Sequence, residues 1–218
     1  MEKGKLIILE GTDFAGKTTC IKALKDDLES KSIKFVTTLE PGSGLKEGNF
    51  YDFCNDIRMK LLTEKYDSKV EAWMFATSRY FHTLDIINYL NNGYHVICDR
   101  FFISSLAYQA IKIGISNVYD YNKLALDLLK DYEVYNLIMT LDFDVYKTRS
   151  LLRENDVIEN VSEKMIKLRI DNMKDAKTIL SVLKMEKWKE NTYFIDATQT
   201  KEKQIKECIE TINKIINN

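Results

Sequence analysis

The sequence has few of the residues that separate domains or build metal and disulfide frameworks. Its 218 residues include one proline, Pro41, and eight glycines, so no linker or repeat divides the chain and we predict one domain over residues 1–218. The two histidines, His82 and His95, are too few for a His-based metal site. The four cysteines show no C-x-x-C spacing, which predicts reduced thiols and a cytoplasmic protein.

An excess of one charge and a long apolar run are also missing. The 32 Lys and Arg against 33 Asp and Glu give a formal net charge of −1, so there is no global attraction to nucleic acid or to an anionic membrane. No segment approaches the roughly 18 apolar residues of a membrane span, and the apolar run at the N-terminus is too short for a signal peptide. We expect neither nucleic acid nor membrane as a partner.

A phosphate-binding motif is present near the N-terminus. Residues Gly11–Thr18 (GTDFAGKT) fit G-x-x-x-x-G-K-[ST], and they lie between an apolar strand pattern at Lys5–Glu10 and helical spacing at Thr18–Lys31. Backbone N–H groups of such a loop and the helix N-terminus bind phosphate oxygens. The motif predicts binding of a nucleoside triphosphate. The predicted contacts are Gly11, Thr12, Asp13, Phe14, Ala15, Gly16, Lys17, Thr18 and Thr19.

The rest of the chain alternates strand and helix patterns. Further strands are predicted at Ile33–Leu39, Tyr94–Cys98, Leu137–Leu141 and Thr192–Ile195. Helices are predicted at Phe50–Leu62, Val70–Leu90, Ser104–Ile111, Tyr119–Lys130, Val145–Arg153, Ser162–Lys187 and Lys201–Ile216. This order predicts an open, doubly wound α/β sheet that binds ligands beyond the carboxyl ends of its strands.

One carboxylate and one hydroxyl are candidates for binding Mg²⁺, and a second carboxylate lies inside the phosphate loop. Asp99 directly follows a predicted strand, the usual place of a carboxylate that holds Mg²⁺ or its water, and the Thr18 hydroxyl would be a direct ligand. An Asp after a strand can also be a helix cap. Asp13 lies inside the phosphate loop, where a carboxylate would face Mg²⁺ or a substrate hydroxyl, although an exposed loop Asp without a role is the alternative.

Basic residues on one predicted helix are candidates for a movable lid over residues 147–160. Arg149 and Arg153 are four residues apart and therefore share a helix face, next to the polar stretch Glu154–Glu159. Guanidinium groups match phosphate oxygens, so this lid would bring cations to the transferring phosphoryl group and exclude water. A solvated charged face is the alternative.

Several sequence blocks together resemble the thymidylate kinase family, bacterial type. They are GTDFAGKTT, LEPG, FATSR, CDRFFISSLAYQ and FIDATQT, in family order over nearly the whole chain. The resemblance implies a five-stranded parallel P-loop kinase fold and transfer of the ATP γ-phosphoryl to dTMP, giving dTDP, with Mg²⁺. It also implies a homodimer formed through helices. Phe14 stands where the eukaryotic type has an arginine, so the catalytic arginines would be Arg149 and Arg153, acting with Lys17 and Asp13.

The resemblance also implies roles for individual residues. Asp13 would contact the sugar and phosphate region of dTMP, Phe75 would stack on thymine and Arg79 would bind a base carbonyl. The remaining implied dTMP contacts are Glu40, Pro41, Arg58, Arg100, Ser104, Ser105, Tyr108 and Gln109. Ala197 would lie near the adenine of ATP.

The chain departs from the family pattern at three places. Val157 replaces a lid arginine, Ala110–Gly114 replaces a glycine-rich turn, and Tyr135–Asn136 replaces Pro-Asp before the fourth strand. These departures leave two alternatives open: a kinase for another deoxynucleoside or deoxynucleoside monophosphate, and a P-loop protein that binds nucleotide without catalysis. The second would not need an acceptor pocket.

Overall fold

The computed structural model describes residues 2–152 and 161–217. Its sheet has five parallel strands in the order β2-β3-β1-β4-β5. The strands are β1 (Leu6–Gly11), β2 (Phe35–Leu39), β3 (His95–Asp99), β4 (Val134–Thr140) and β5 (Thr192–Asp196). Because all strands run the same way, the phosphate loop and the segments after β2, β3 and β5 meet at one edge of the sheet, as the sequence predicts.

Helices cover both faces of the sheet. In chain order they are α1 (Lys17–Ser30), α2 (Tyr51–Thr63), α3 (Ser68–Asn91), α4 (Phe102–Tyr108), α5 (Ala110–Ile113), α6 (Ile115–Leu128), α7 (Phe143–Leu151), α8 (Glu163–Lys174), α9 (Ala176–Val182), α10 (Glu186–Glu190) and α11 (Lys201–Asn217). No helix in the described part of the chain is long and apolar enough to cross a membrane.

The central strand β1 divides the core in two by its alternating side chains. Leu6 and Ile8 pack into one apolar cluster with residues of α3, α4 and α6, whereas Ile7 and Leu9 pack into the other with α1 and α11. All six residues of β1 are buried, which explains why its first four, Leu6–Leu9, form a continuous apolar run rather than an alternating one. The fold therefore holds the end of β1, and the phosphate loop after it, between two packed layers.

One predicted helix is wrong in extent. Residues 162–187 form three helices rather than one, with breaks at Asp175 and at Lys184. Lys184 adopts the left-handed conformation (φ 58°), and the Met185 N–H donates to the Leu180 carbonyl at 2.9 Å, a helix-ending arrangement. The predicted helix Ser104–Ile111 likewise corresponds to α4 and α5. Arg153, the stretch Glu154–Glu159 and Val157 lie outside the described residues.

Candidate active site

The phosphate loop joins β1 to α1 in a conformation that needs glycine. Gly16, directly before α1, has φ 89°, and a Cβ there would lie 2.9 Å from Gln204 Nε2. Gln204, on α11, is buried, and its Nε2 donates to the Ala15 carbonyl at 2.6 Å. Gln204 therefore fixes the phosphate loop from the α11 side, and the sequence does not predict this role. A glutamine in a charged helix gives no local signal of that contact.

Lys17 is folded against its own loop. Its Nζ donates to the carbonyls of Gly11 and Thr12, both at 3.0 Å, and the side chain is buried. Burial and the charge of Arg100 lower the pKa of Lys17 to about 8, against the opposing charges of Asp99 and other carboxylates. Since phosphate oxygens are better acceptors for an ammonium group than carbonyls, a bound triphosphate would draw Nζ off the loop.

Asp99 and Thr18 fit the predicted magnesium site. Asp99 Oδ1 is buried and has no hydrogen-bond partner within the described chain, and a buried carboxylate oxygen of this kind suits a cation or its water. The Thr18 residue is exposed at the start of α1. Among the described residues no three His, Cys, Asp or Glu side chains form a metal cluster, so further ligands would come from phosphates and water.

A cavity of about 760 Å³ lies beside the phosphate loop, and we call it the acceptor cavity. It brings together ten of the eleven residues predicted to contact dTMP. They are Asp13, Glu40, Pro41, Phe75, Arg79, Arg100, Ser104, Ser105, Tyr108 and Gln109. Arg58 is not among the described residues that line it; its Nη1 donates to the Pro41 carbonyl at 2.7 Å, so it holds the loop after β2.

Arg79 is the most constrained side chain of the acceptor cavity. It is 2% exposed, and its Nε donates to Glu40 Oε2 at 2.7 Å. Its Nη1 donates to Ser105 Oγ and Asn122 Oδ1, and its Nη2 donates to the Phe101 carbonyl at 3.0 Å. A guanidinium has five N–H donors. Within the described chain these contacts use four, and one N–H of Nη2 is left for a ligand acceptor.

Glu40 is held by a histidine whose role the sequence analysis missed. His82 is fully buried, with Nδ1 3.2 Å from Glu40 Oε1 and Nε2 2.7 Å from Thr38 Oγ1. An ionised carboxylate can only accept, so Nδ1 carries the proton. Arg79 and His82 are three residues apart and therefore lie on the same face of α3. This spacing is the sequence signal that could have indicated that both side chains contact the same partner.

Asp13 and Arg100 form an ion pair between the phosphate loop and the end of β3. Arg100 Nη2 donates to Asp13 Oδ1 at 2.5 Å, and Nη1 donates to the Gly11 carbonyl at 2.8 Å. Burial raises the pKa of Asp13, but the charges of Arg100, Lys17 and Arg169 outweigh it and bring the pKa below its ordinary value. Asp13 is thus ionised at neutral pH and faces the acceptor cavity.

Glu10, the last carboxylate before the loop, was not predicted as a site residue because it lies inside an apolar strand. It is fully buried, and its oxygens accept from the Phe101 N–H at 2.9 Å and from Ser104 Oγ. Burial raises the pKa of Glu10 despite these hydrogen bonds. Ser104, predicted as a substrate contact, therefore also ties α4 to β1.

A second cavity of about 360 Å³, the donor-side cavity, lies on the other side of the loop. Its lining includes Phe14, Gly16, Thr19 and Arg149. Arg149 Nη1 donates to the Phe14 carbonyl at 3.0 Å and Nη2 donates to the carbonyl of the buried Ala197 at 2.6 Å. In this structure Arg149 thus bridges the phosphate loop and the segment after β5, rather than reaching over the loop to the acceptor cavity.

The fold and the site define a P-loop kinase that acts on a nucleoside monophosphate. The phosphate loop is shared by a donor-side cavity and an acceptor cavity, and the acceptor cavity is lined by a buried arginine, several aromatic side chains and further cations.

Comparison with known proteins agrees with this class. The profile of the family described as thymidylate kinase matches residues 9–209. A thymidylate kinase from Ligilactobacillus salivarius is 32% identical over 98% of this chain and 100% of its own length. One from Caldicellulosiruptor saccharolyticus is 35% identical over 72% of this chain and 75% of its own length. The chain belongs to the thymidylate kinase family, and the family and the five-stranded P-loop fold predicted from the sequence are confirmed.

Proposed function

We propose that this protein transfers the γ-phosphoryl group of ATP to dTMP, giving dTDP and ADP, with Mg²⁺ as the cofactor. The observation that carries the acceptor assignment is Arg79. Glu40, Ser105, Asn122 and Phe101 fix the plane of its guanidinium group. The remaining N–H of Nη2 is therefore held in one orientation, and it suits an acceptor such as a base carbonyl. Phe75 lines the same cavity four residues earlier on α3, where its ring can stack on a base held by Arg79.

The geometry supports direct in-line transfer. The donor-side cavity contacts the loop at Phe14 and Gly16, and the acceptor cavity contacts it at Asp13, so the two phosphates would meet at the loop. Lys17 would move from the loop carbonyls onto the transferring group, and Arg100 would contact the acceptor phosphate. Mg²⁺ would be bound directly by the Thr18 hydroxyl, and Asp99 would bind the ion or one of its waters. The ion would neutralise charge on the donor phosphates. Alignment and charge neutralisation supply the catalysis, and no covalent intermediate with the protein is needed.

Arg149 fits a role toward the ATP base more closely than the role predicted for it at the phosphates. Its guanidinium lines the donor-side cavity together with Leu152 and Ile205, and its hydrogen bonds to Phe14 and Ala197 fix its plane. A planar cation of this kind can stack on adenine. The lid role of Arg153 stays a prediction. In this proposal Arg153 supplies the cation that covers the transferring phosphoryl group.

The homodimer is also part of the proposal. Several large apolar side chains on α2, α3 and α6 are exposed, and α3 packs against both of the other helices. They are Phe53, Met59, Val70, Trp73 and Leu124. We call this set the apolar helix face. Exposed apolar side chains on neighbouring helices are typical of protein–protein interfaces. The cytoplasmic location remains a prediction; all four cysteines are free, which is compatible with it.

The test is steady-state phosphorylation with MgATP and a series of acceptors. We expect kcat/KM for dTMP to exceed the values for dUMP, dCMP and thymidine. A rate for dTMP no higher than for these compounds would overturn the dTMP assignment and favour another deoxynucleotide acceptor. No turnover of any acceptor by a protein that binds ATP would favour the non-catalytic alternative.

The Arg79→Ala variant separates base reading from general loss of structure. Removing the guanidinium leaves Glu40 buried without its cation, so we expect KM for dTMP to rise about 100-fold or more. The KM for ATP should stay within about threefold, because the donor-side cavity does not include Arg79. An equal loss for both substrates would indicate misfolding instead of a role in acceptor binding.

A further inference from the structure

Helix α8 forms one wall of the acceptor cavity. Ser162, Met165 and Arg169 all line this cavity, and their spacing of three and four residues places them on one helix face. Ser162 is the N-cap residue, and its Oγ accepts from the Met165 N–H at 3.4 Å, so the start of the helix is fixed beside the cavity. The sequence predicts only a charged helix here, and no site role for any of the three residues.

Arg169 lies where the acceptor cavity meets the phosphate loop. Its guanidinium carbon is 4.4 Å from the centroid of the Tyr108 ring, and that of Arg100 is 5.2 Å from the same centroid. After Arg100 and Lys17, Arg169 is also a cation whose charge keeps the pKa of Asp13 low against the effect of burial. Two guanidinium groups therefore share one aromatic ring beside the loop carboxylate.

The Arg100 guanidinium is largely committed to the protein. Its Nη1 contacts the Gly11 carbonyl and Ser104 Oγ, and its Nη2 contacts Asp13. These contacts take three of its five donors. A phosphate monoester carries a charge near −2 at neutral pH and offers three acceptor oxygens. The two donors left on Arg100 do not by themselves saturate three oxygens, so a second guanidinium beside it has acceptors to bind.

The charges that line the acceptor cavity suit a dianion. Among its described lining residues, five are basic (Lys65, Arg79, Arg100, Lys112, Arg169) and three are acidic (Asp13, Glu40, Glu71), a formal net charge of +2. Without Arg169 this value would be +1. Arg169 thus supplies half of the excess that balances the charge of a monophosphate.

We propose that Arg169 binds the phosphate of the acceptor nucleotide from the α8 side, as the partner of Arg100, whose guanidinium contacts the same Tyr108 ring. This inference rests on the proposed function for the identity of the acceptor, and it adds a phosphate-binding residue. Because α8 follows residues 153–160 in the chain, the same residue connects the acceptor phosphate to the helix that begins after the predicted lid.

The experiment is calorimetric binding of dTMP and of thymidine to the full-length protein, its Arg169→Met variant and its Arg169→Lys variant. Met retains an unbranched side chain that can pack on Tyr108. We expect Arg169→Met to weaken dTMP binding about 10- to 100-fold, as for loss of a charge-assisted hydrogen bond, and to change thymidine binding less than about threefold. Arg169→Lys, which retains the charge, should recover part of the dTMP affinity.

An equal weakening of dTMP and thymidine would overturn the proposal, since it would assign Arg169 to packing or to the sugar. Unchanged dTMP affinity would overturn it as well. The exposed Lys164 on the same helix provides the matched control, and Lys164→Met should leave both affinities unchanged. The wild-type acceptor series separates this proposal from the proposed function: failure of wild type to bind or phosphorylate dTMP rejects the function, whereas a normal wild type with an insensitive Arg169→Met rejects only this role.

Discussion

At the scale of single residues, the site is built from buried charged and polar side chains that are joined by hydrogen bonds and ion pairs. Glu40, Arg79 and His82 form one connected set, and Glu10, Ser104 and Arg100 form another. Burying any of these charges alone would be costly, so each set is stable only when complete. The consequence for function is that Arg79 and Arg100 are oriented before a ligand arrives.

Lys17 gives the site a dependence on pH that can be measured. Its pKa of about 8 in the free protein is lowered chiefly by burial, and the negative charge of bound phosphates should raise it. We therefore expect the affinity for MgADP to be constant below about pH 7.5 and to fall with rising pH above about pH 8, because the free lysine then loses its proton. Binding near pH 8.5 should take up protons, which calorimetry in buffers of different ionisation enthalpy measures.

The matched control for this prediction is Lys17→Arg. Arginine stays charged throughout the range, so the affinity of this variant should be independent of pH between about 7 and 9.5, whatever its absolute value. A variant that shows the same decline as wild type would assign the pH dependence to another group.

At the scale of helices and strands, the sequence predicts what is encoded locally. The phosphate loop and Asp99 follow from motifs next to recognisable strands, whereas the roles of Phe75 and Arg79 on α3 are implied only by the family resemblance. Gln204, Glu10 and Arg169 do not, because each acts through a partner that is distant in the chain, as Gln204 acts on Ala15. The break at Lys184 was also missed, since a lysine in the left-handed conformation has no sequence signal comparable to glycine.

The α11 helix should contribute to ATP binding through Gln204. In Gln204→Met the Ala15 carbonyl loses its donor, so the phosphate loop is less well fixed. We expect KM for ATP to rise about 5- to 20-fold with KM for dTMP unchanged, and the free energy of unfolding to fall by about 1–3 kcal/mol. Steady-state kinetics and chemical denaturation measure the two effects. Lys206→Met, at an exposed position on the same helix, serves as the control, and an unchanged KM for ATP in Gln204→Met would contradict the support role.

At the scale of the whole molecule, the acceptor cavity and the apolar helix face share one helix, α3. One side of α3 carries Phe75 and Arg79 into the acceptor cavity, and Val70 and Trp73 of the same helix belong to the apolar helix face. Trp73 stacks on Tyr121 of α6, with 4.5 Å between the ring centroids, so α3 and α6 present a joint surface. Association through that surface would fix the helix that carries Phe75 and Arg79.

Leu124 on α6 offers the clearest test of the proposed homodimer. Its side chain is 68% exposed, so Leu124→Asp should fold normally in the monomer but place a charge in an apolar interface. We expect sedimentation to show a dimer for wild type and a monomer for this variant, with a KM for dTMP that rises more than the KM for ATP because α3 loses its external support. Val182→Asp, at an equally exposed apolar position on α9, should remain dimeric. A wild-type monomer would reject the homodimer, and a dimeric Leu124→Asp would place the interface on another surface.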